Sequence, residues 1–139
     1  MLAVSAVGVA SAAPVAGVSG RWYGEGVEVD GVFTQILIER RDDGTFKVES
    51  RTPQVCLAGT RVFVDTGRWR FENGMLTTRT ETMDGDKVDA LDPEFDGRYR
   101  VTLVDADNAT LIDEDTAIAW PMKRVAKDFT FPPAEPCVP

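Results

Sequence analysis

From Trp22 onward the chain alternates apolar and polar residues, and no stretch repeats its apolar residues at helical spacing over three turns. In Thr45-Phe46-Lys47-Val48-Glu49-Ser50-Arg51 one face carries Phe46, Val48 and Ser50 and the other carries Thr45, Lys47, Glu49 and Arg51. Arg68-Trp69-Arg70-Phe71-Glu72 repeats the pattern with Trp69 and Phe71 inward, and Arg98-Tyr99-Arg100-Val101-Thr102-Leu103 does so with Tyr99, Val101 and Leu103. Ribbons with one wet face belong to antiparallel sheets. The alternation predicts strands at about 21–29, 32–40, 44–51, 58–66, 67–72, 75–83, 97–105, 108–113 and 116–124. A helical bundle is excluded.

Turn chemistry separates these segments: Asp30-Gly31, Asp42-Asp43-Gly44, Asn73-Gly74, Asp84-Gly85 and Asp96-Gly97 can each supply the positive φ of a tight hairpin. Asn73-Gly74 is the strongest of these signals. Gly-Arg-aromatic recurs at Gly20-Arg21-Trp22, Gly67-Arg68-Trp69 and Gly97-Arg98-Tyr99, at unequal spacings that exclude a solenoid or propeller period. Each triplet reads as a glycine turn followed by an outward Arg and an inward ring. Gly24-Glu25-Gly26 opens no helix and so is no phosphate loop; its glycines are expected to let the first strand bend. Eight or nine hairpin-linked strands in one small domain predict an all-β, closed up-and-down antiparallel barrel, because closure removes exposed edges. A β-sandwich is the alternative.

Composition adds an address and a staple. The chain has 139 residues, 43% of them hydrophobic, enough for one core and one domain. Residues 1–12 are small and apolar and end in Ala10-Ser11-Ala12, the pattern of a secretory signal, although no Lys or Arg precedes Arg21. The expected organisation is a signal at 1–12, a flexible arm at 13–19, a barrel at 20–125 and an extended Pro-rich tail at 126–139. The expected location is periplasmic or secreted, with no membrane span. Cys56 and Cys137 read as a disulfide tying that tail to the body; a loop of that order is stabilised by about 4.5 kcal/mol in the chain-entropy model. Two thiolates in a chain without His make a poor zinc site. The formal net charge of −8 argues against nucleic acid and anionic membranes. Arg61, Arg68, Arg70, Arg79, Arg98 and Arg100 on the strand segments leave room for a local basic face.

The Gly-x-Trp-Tyr opening at Gly20-Arg21-Trp22-Tyr23, the meander of short strands, an Arg after the last strand and the Cys pair together resemble the lipocalin and calycin-like barrels. The resemblance implies that Trp22 packs across a closed end under Arg124, with Lys123 as a substitute. It implies a structural role for Gly20, Trp22 and Arg124. The Thr-Asp-Tyr element of typical lipocalins is absent, and no segment reads as their C-terminal helix, so a shorter bacterial lipocalin-like domain fits better.

Without His, neither a Ser-His nor a Cys-His nucleophile can be assembled. The acidic run at 84–96 and Asp113-Glu114-Asp115 supply oxygen ligands of the kind calcium takes, but the spacing is not that of an EF-hand and a solvated connection is the plainer reading. The same connection has the length of a lid over a barrel mouth. The leading functional expectation is a small hydrophobic or amphipathic molecule held inside the barrel, lined by Phe46, Val48, Trp69, Phe71, Tyr99 and Val101, with hydroxyls from Thr78 and Thr80. No cofactor or metal is expected. A second class is a protein-interaction module, such as a secreted protease inhibitor acting through Ala13–Val18. A third is an enzyme using Tyr99 with Glu25 or Glu28 for acid-base work.

Overall fold

The computed structural model describes residues 17–53 and 61–133. Within them lie nine strands: β1 (Gly20–Val27), β2 (Phe33–Arg40), β3 (Thr45–Arg51), β4 (Phe63–Glu72), β5 (Met75–Met83), β6 (Asp86–Lys87), β7 (Asp96–Leu103), β8 (Asn108–Asp113) and β9 (Ala119–Arg124). All pairings are antiparallel. The order is β4-β3-β2-β1-β9-β8-β7-β5, and β4 also pairs with β5, so eight strands close into the up-and-down barrel that the alternation predicts. The two-residue β6 only extends the end of β5.

Hairpin chemistry sets the registers. Asn73-Gly74 and Asp84-Gly85 each place two successive residues at positive φ, the two-residue turn whose twist matches that of its strands. Gly31 and Gly44 take positive φ in two of the other three predicted turns, where Asp30 and Asp43 side chains accept from Val32 and Thr45 amides. Asp96-Gly97 is not a turn: it opens β7, after a short 3-10 turn at Pro93–Phe95 capped by the Asp92 carboxylate. The segments expected as two strands at 58–66 and 67–72 are, from Phe63, one strand, β4, with a register irregularity between Thr66 and Gly67.

Gly67 and Gly97 likewise sit inside ladders, so only Gly20 of the three Gly-Arg-aromatic triplets has positive φ. The parity still holds. Trp22, Trp69 and Tyr99 turn inward, while Arg68 and Arg98 face solvent. Glycine is required at Gly67 because a Cβ there would run into the Arg79 carbonyl and lie 2.8 Å from the Phe46 ring. In β1 the glycines make room: a Cβ on Gly24 would collide with the Met122 sulfur, and one on Gly26 would lie 2.7 Å from the Trp120 ring.

The core fills the end of the barrel where β1, β3 and β5 begin. Val18, Trp22, Phe46, Trp69, Leu76, Ala109, Leu111, Trp120 and Met122 form its buried cluster, with Phe71 and Val101 packed against it. Outside the wall, residues 125–133 cross β1, β2 and β3. Arg21 donates to the Phe129 carbonyl at 2.7 Å, Phe129 packs 5.0 Å from the Tyr23 ring, and Arg51 donates to the Pro132 carbonyl with its guanidinium over Phe131. Leu37 therefore has an outward parity and yet is only 3% exposed. Cys56, Cys137 and the expected signal lie outside the described residues. Among the described residues no helix is long and apolar enough to cross a membrane.

Candidate functional site

One end of the barrel is sealed by its own chain. Trp22, 1% exposed, lies under Arg124, whose guanidinium sits 4.4 Å from the ring. The same guanidinium donates to the Ser19 carbonyl at 2.9 Å, the Gly17 carbonyl at 3.3 Å and the Ala106 carbonyl at 3.0 Å, while Trp22 Nε1 donates to Ser19 O at 3.2 Å. The backbone entering β1, the turn between β7 and β8 and the end of β9 are thus joined at one point. Lys123 has the outward parity of its strand and is exposed. Val18, in the segment expected to be a free arm, is instead 2% exposed and part of the core. Residues 13–16 lie outside the described residues.

Above this seal the barrel holds a cavity of about 300 Å³ that opens toward the other end. Ile36, Ile38, Phe46, Val48, Leu76, Leu111, Trp120 and Met122 provide its apolar wall; Ser50, Thr34, Thr78, Thr80 and Tyr99 add hydroxyls. Of the residues expected to line it, Phe46, Val48, Thr78, Thr80 and Tyr99 do so. Trp69, Phe71 and Val101 do not: they are packed into the core below, where Trp69 Nε1 donates to the Arg41 carbonyl at 3.0 Å.

Charged groups sit at both levels of the cavity. Glu28, Asp65 and Asp113 line it from strand ends near the mouth. Burial, with Asp84 close by, raises the Asp65 carboxyl above its ordinary range. Arg40, the last residue of β2, lines it from deeper in, is 5% exposed, and donates through Nη1 to the Val18 carbonyl at 3.1 Å. Burial pushes its guanidinium down to about 10, so it stays protonated at neutral pH. Tyr99 is raised above the usual phenol range, by burial first and by the Asp113 carboxylate second. Neither Arg40 nor Trp120 figures among the expected site residues, although Ile36-Ile38-Arg40 and Trp120-Met122-Arg124 carry the inward parity that would have found them.

The two carboxylates considered for acid-base work separate. Glu28 faces the cavity and accepts from Thr34 Oγ1 at 3.2 Å. Glu25 faces outward, bonded to the Tyr23 hydroxyl at 2.6 Å and to Gln35 Nε2 at 3.3 Å, so it cannot serve the interior. The acidic connection at 84–95 contributes no wall to the cavity and folds back onto the outside of β5. Arg79 donates to the Asp92 and Asp89 carbonyls, and Asp89 and Asp92 carboxylates accept from Leu91 and Glu94 amides. Those two carboxylates cap their own backbone.

Fold and cavity together define a small closed antiparallel barrel, sealed at one end, with a polar-dotted apolar interior open at the other. Neither the protein-family models nor the curated proteins contain a match to the chain.

Proposed function

We propose that this is an exported lipocalin-like barrel that holds a small apolar or amphipathic molecule in its interior. The observation that carries this reading is the cavity of about 300 Å³ between the Trp22 seal and the mouth, at the lower end of the roughly 300–1,000 Å³ typical of ligand pockets. The stacking of Arg124 on Trp22 supports the lipocalin-like part, since it fits the seal implied by the Gly-x-Trp opening. Export rests on the apolar run at 1–12.

The inhibitor reading draws no support from the described part of its arm, because buried Val18 cannot enter a protease cleft. Titration of the protein with a lipophilic fluorescent probe tests the carrier. Trp120 lies on the cavity wall, so uptake is expected to change tryptophan emission with saturable, one-site behaviour. Emission that does not respond, together with a Trp120→Phe variant whose probe signal equals the parent's, removes the reading.

A further inference from the structure

The geometry points to an anionic head group, a carboxylate on a short apolar chain, as the part of the ligand that the barrel recognises, bound head-first against Arg40 and the Tyr99 hydroxyl. This rests on the proposal that the cavity holds a small molecule, and it names that molecule's chemistry.

A guanidinium carries five N–H donors and no acceptor. Among the described residues, Arg40 finds one acceptor, the Val18 carbonyl, and no carboxylate pairs with it. Burying a cation this deeply is unfavourable unless something compensates its charge. The outer arginines show the contrast. Arg68, Arg70, Arg79 and Arg100 each meet an acidic side chain in or near solvent, where such pairs contribute little. Among the described residues, the cation that would gain most from an acidic partner thus has none, and that cation lines the cavity.

Tyr99 lines the same cavity, feels the Asp113 carboxylate first and the Arg40 guanidinium second, and its hydroxyl has no hydrogen-bond partner among the described residues. A carboxylate matches the chemistry of both, because it can accept two guanidinium bonds side by side and still offer a lone pair to a phenol. The wall from Ile36 and Ile38 to Leu111 and Trp120 is apolar and suits a hydrocarbon chain. Asp113 lies opposite Tyr99 across the β7–β8 ladder, and with Glu28 and Asp65 it would repel an anion seated toward the mouth. That favours a head held first by Arg40, touching Tyr99 only from the sealed side, and a neutral chain end beside the rim. At about 30 Å³ per non-hydrogen atom the cavity takes roughly ten such atoms, the size of an eight-carbon acid.

Calorimetric titration of the full chain with octanoate, octan-1-ol and octylamine, up to millimolar concentration, tests this. Octanoate is expected to bind about tenfold or more tightly than octan-1-ol, and octylamine most weakly. In Arg40→Met the preference for octanoate over octan-1-ol should disappear, and in Tyr99→Phe the acid should lose a few-fold. Equal binding of acid and alcohol by the parent protein overturns the head-group assignment and leaves the carrier reading standing. Tightest binding of octylamine also overturns it, placing recognition at the rim carboxylates. Binding of none of the three removes the carrier reading and this inference with it. The parent protein's own ranking decides the matter even where a variant fails to fold.

Discussion

Arg40 is the residue at which stability and proposed function diverge. Burial lowers the pKa of its guanidinium from the ordinary arginine value to about 10, so the charge it carries at neutral pH costs the folded state. That cost fades only as pH rises through about 10 toward the unfolded arginine range. Arg40→Met is therefore expected to stabilise the ligand-free barrel by about 1–2 kcal/mol at neutral pH, read from the denaturant midpoint. A fall in the midpoint instead would mean that the bond to the Val18 carbonyl outweighs the buried charge. The tyrosines run in the opposite direction. The chain has two, Tyr23 and Tyr99, and burial raises both, helped at Tyr23 by its hydrogen bond to Glu25 and at Tyr99 by the Asp113 carboxylate. With folded values above the unfolded value of about 10, their contribution is intact below that pH and is lost as pH climbs through the folded values. Ultraviolet titration should show less phenolate at the ordinary tyrosine pKa than two free tyrosines give, with the remainder appearing as the barrel opens. An early, reversible one-tyrosine step would show that one ring faces water.

At the scale of elements, parity was the strongest signal in the sequence, and it also marks where the reading stops. Two-residue periodicity correctly turned Phe46, Val48, Trp69 and Tyr99 inward, and the same rule applied to Ile36-Ile38-Arg40 reaches the buried arginine. Parity cannot tell how far along the barrel an inward residue sits. Trp69 and Phe71 share a face with Asp65, yet they fill the sealed end while Asp65 lines the cavity. Nor can it tell which stretch of outer wall the tail will cover, so Leu37 and Gln35 read as outward but are buried. Gly67 misled for a physical reason: glycine marks turns, but it also marks the close approach of one strand to another. Gly67→Ala would drive a methyl into the Arg79 carbonyl and toward Phe46 across the β4–β5 ladder that closes the barrel. A loss of about 2–3 kcal/mol is expected on thermal or denaturant unfolding, as for overpacked cores. Gly67→Ala with an unchanged midpoint would mean that the irregularity at Thr66/Gly67 absorbs the methyl.

The whole molecule is a ring of strands, and a ring is only as closed as its narrowest seam. Strands β4 and β5 meet over eight register pairs, whereas β1 and β9 meet over three, from Trp22↔Arg124 to Gly24↔Met122. That ladder stops beside Pro121, which has no N–H with which to extend it. Closure there depends on what clamps the seam. Arg124 ties it to Gly17 and Ser19 before β1 and to Ala106 in the β7–β8 turn, and its guanidinium covers Trp22. Arg124→Met keeps the apolar stem and removes the carbonyl bonds and the cation, so a loss of about 2–4 kcal/mol is expected. The distribution of the damage is the sharper test. Because the remaining ladder is so short, amide hydrogen exchange should accelerate first at the β1–β9 seam, around Trp22–Gly24 and Met122–Arg124, while the β3–β4 and β4–β5 ladders keep their protection. Exchange that quickens evenly around the ring would show that the eight strands open as one unit and that Arg124 contributes to global stability without latching the seam.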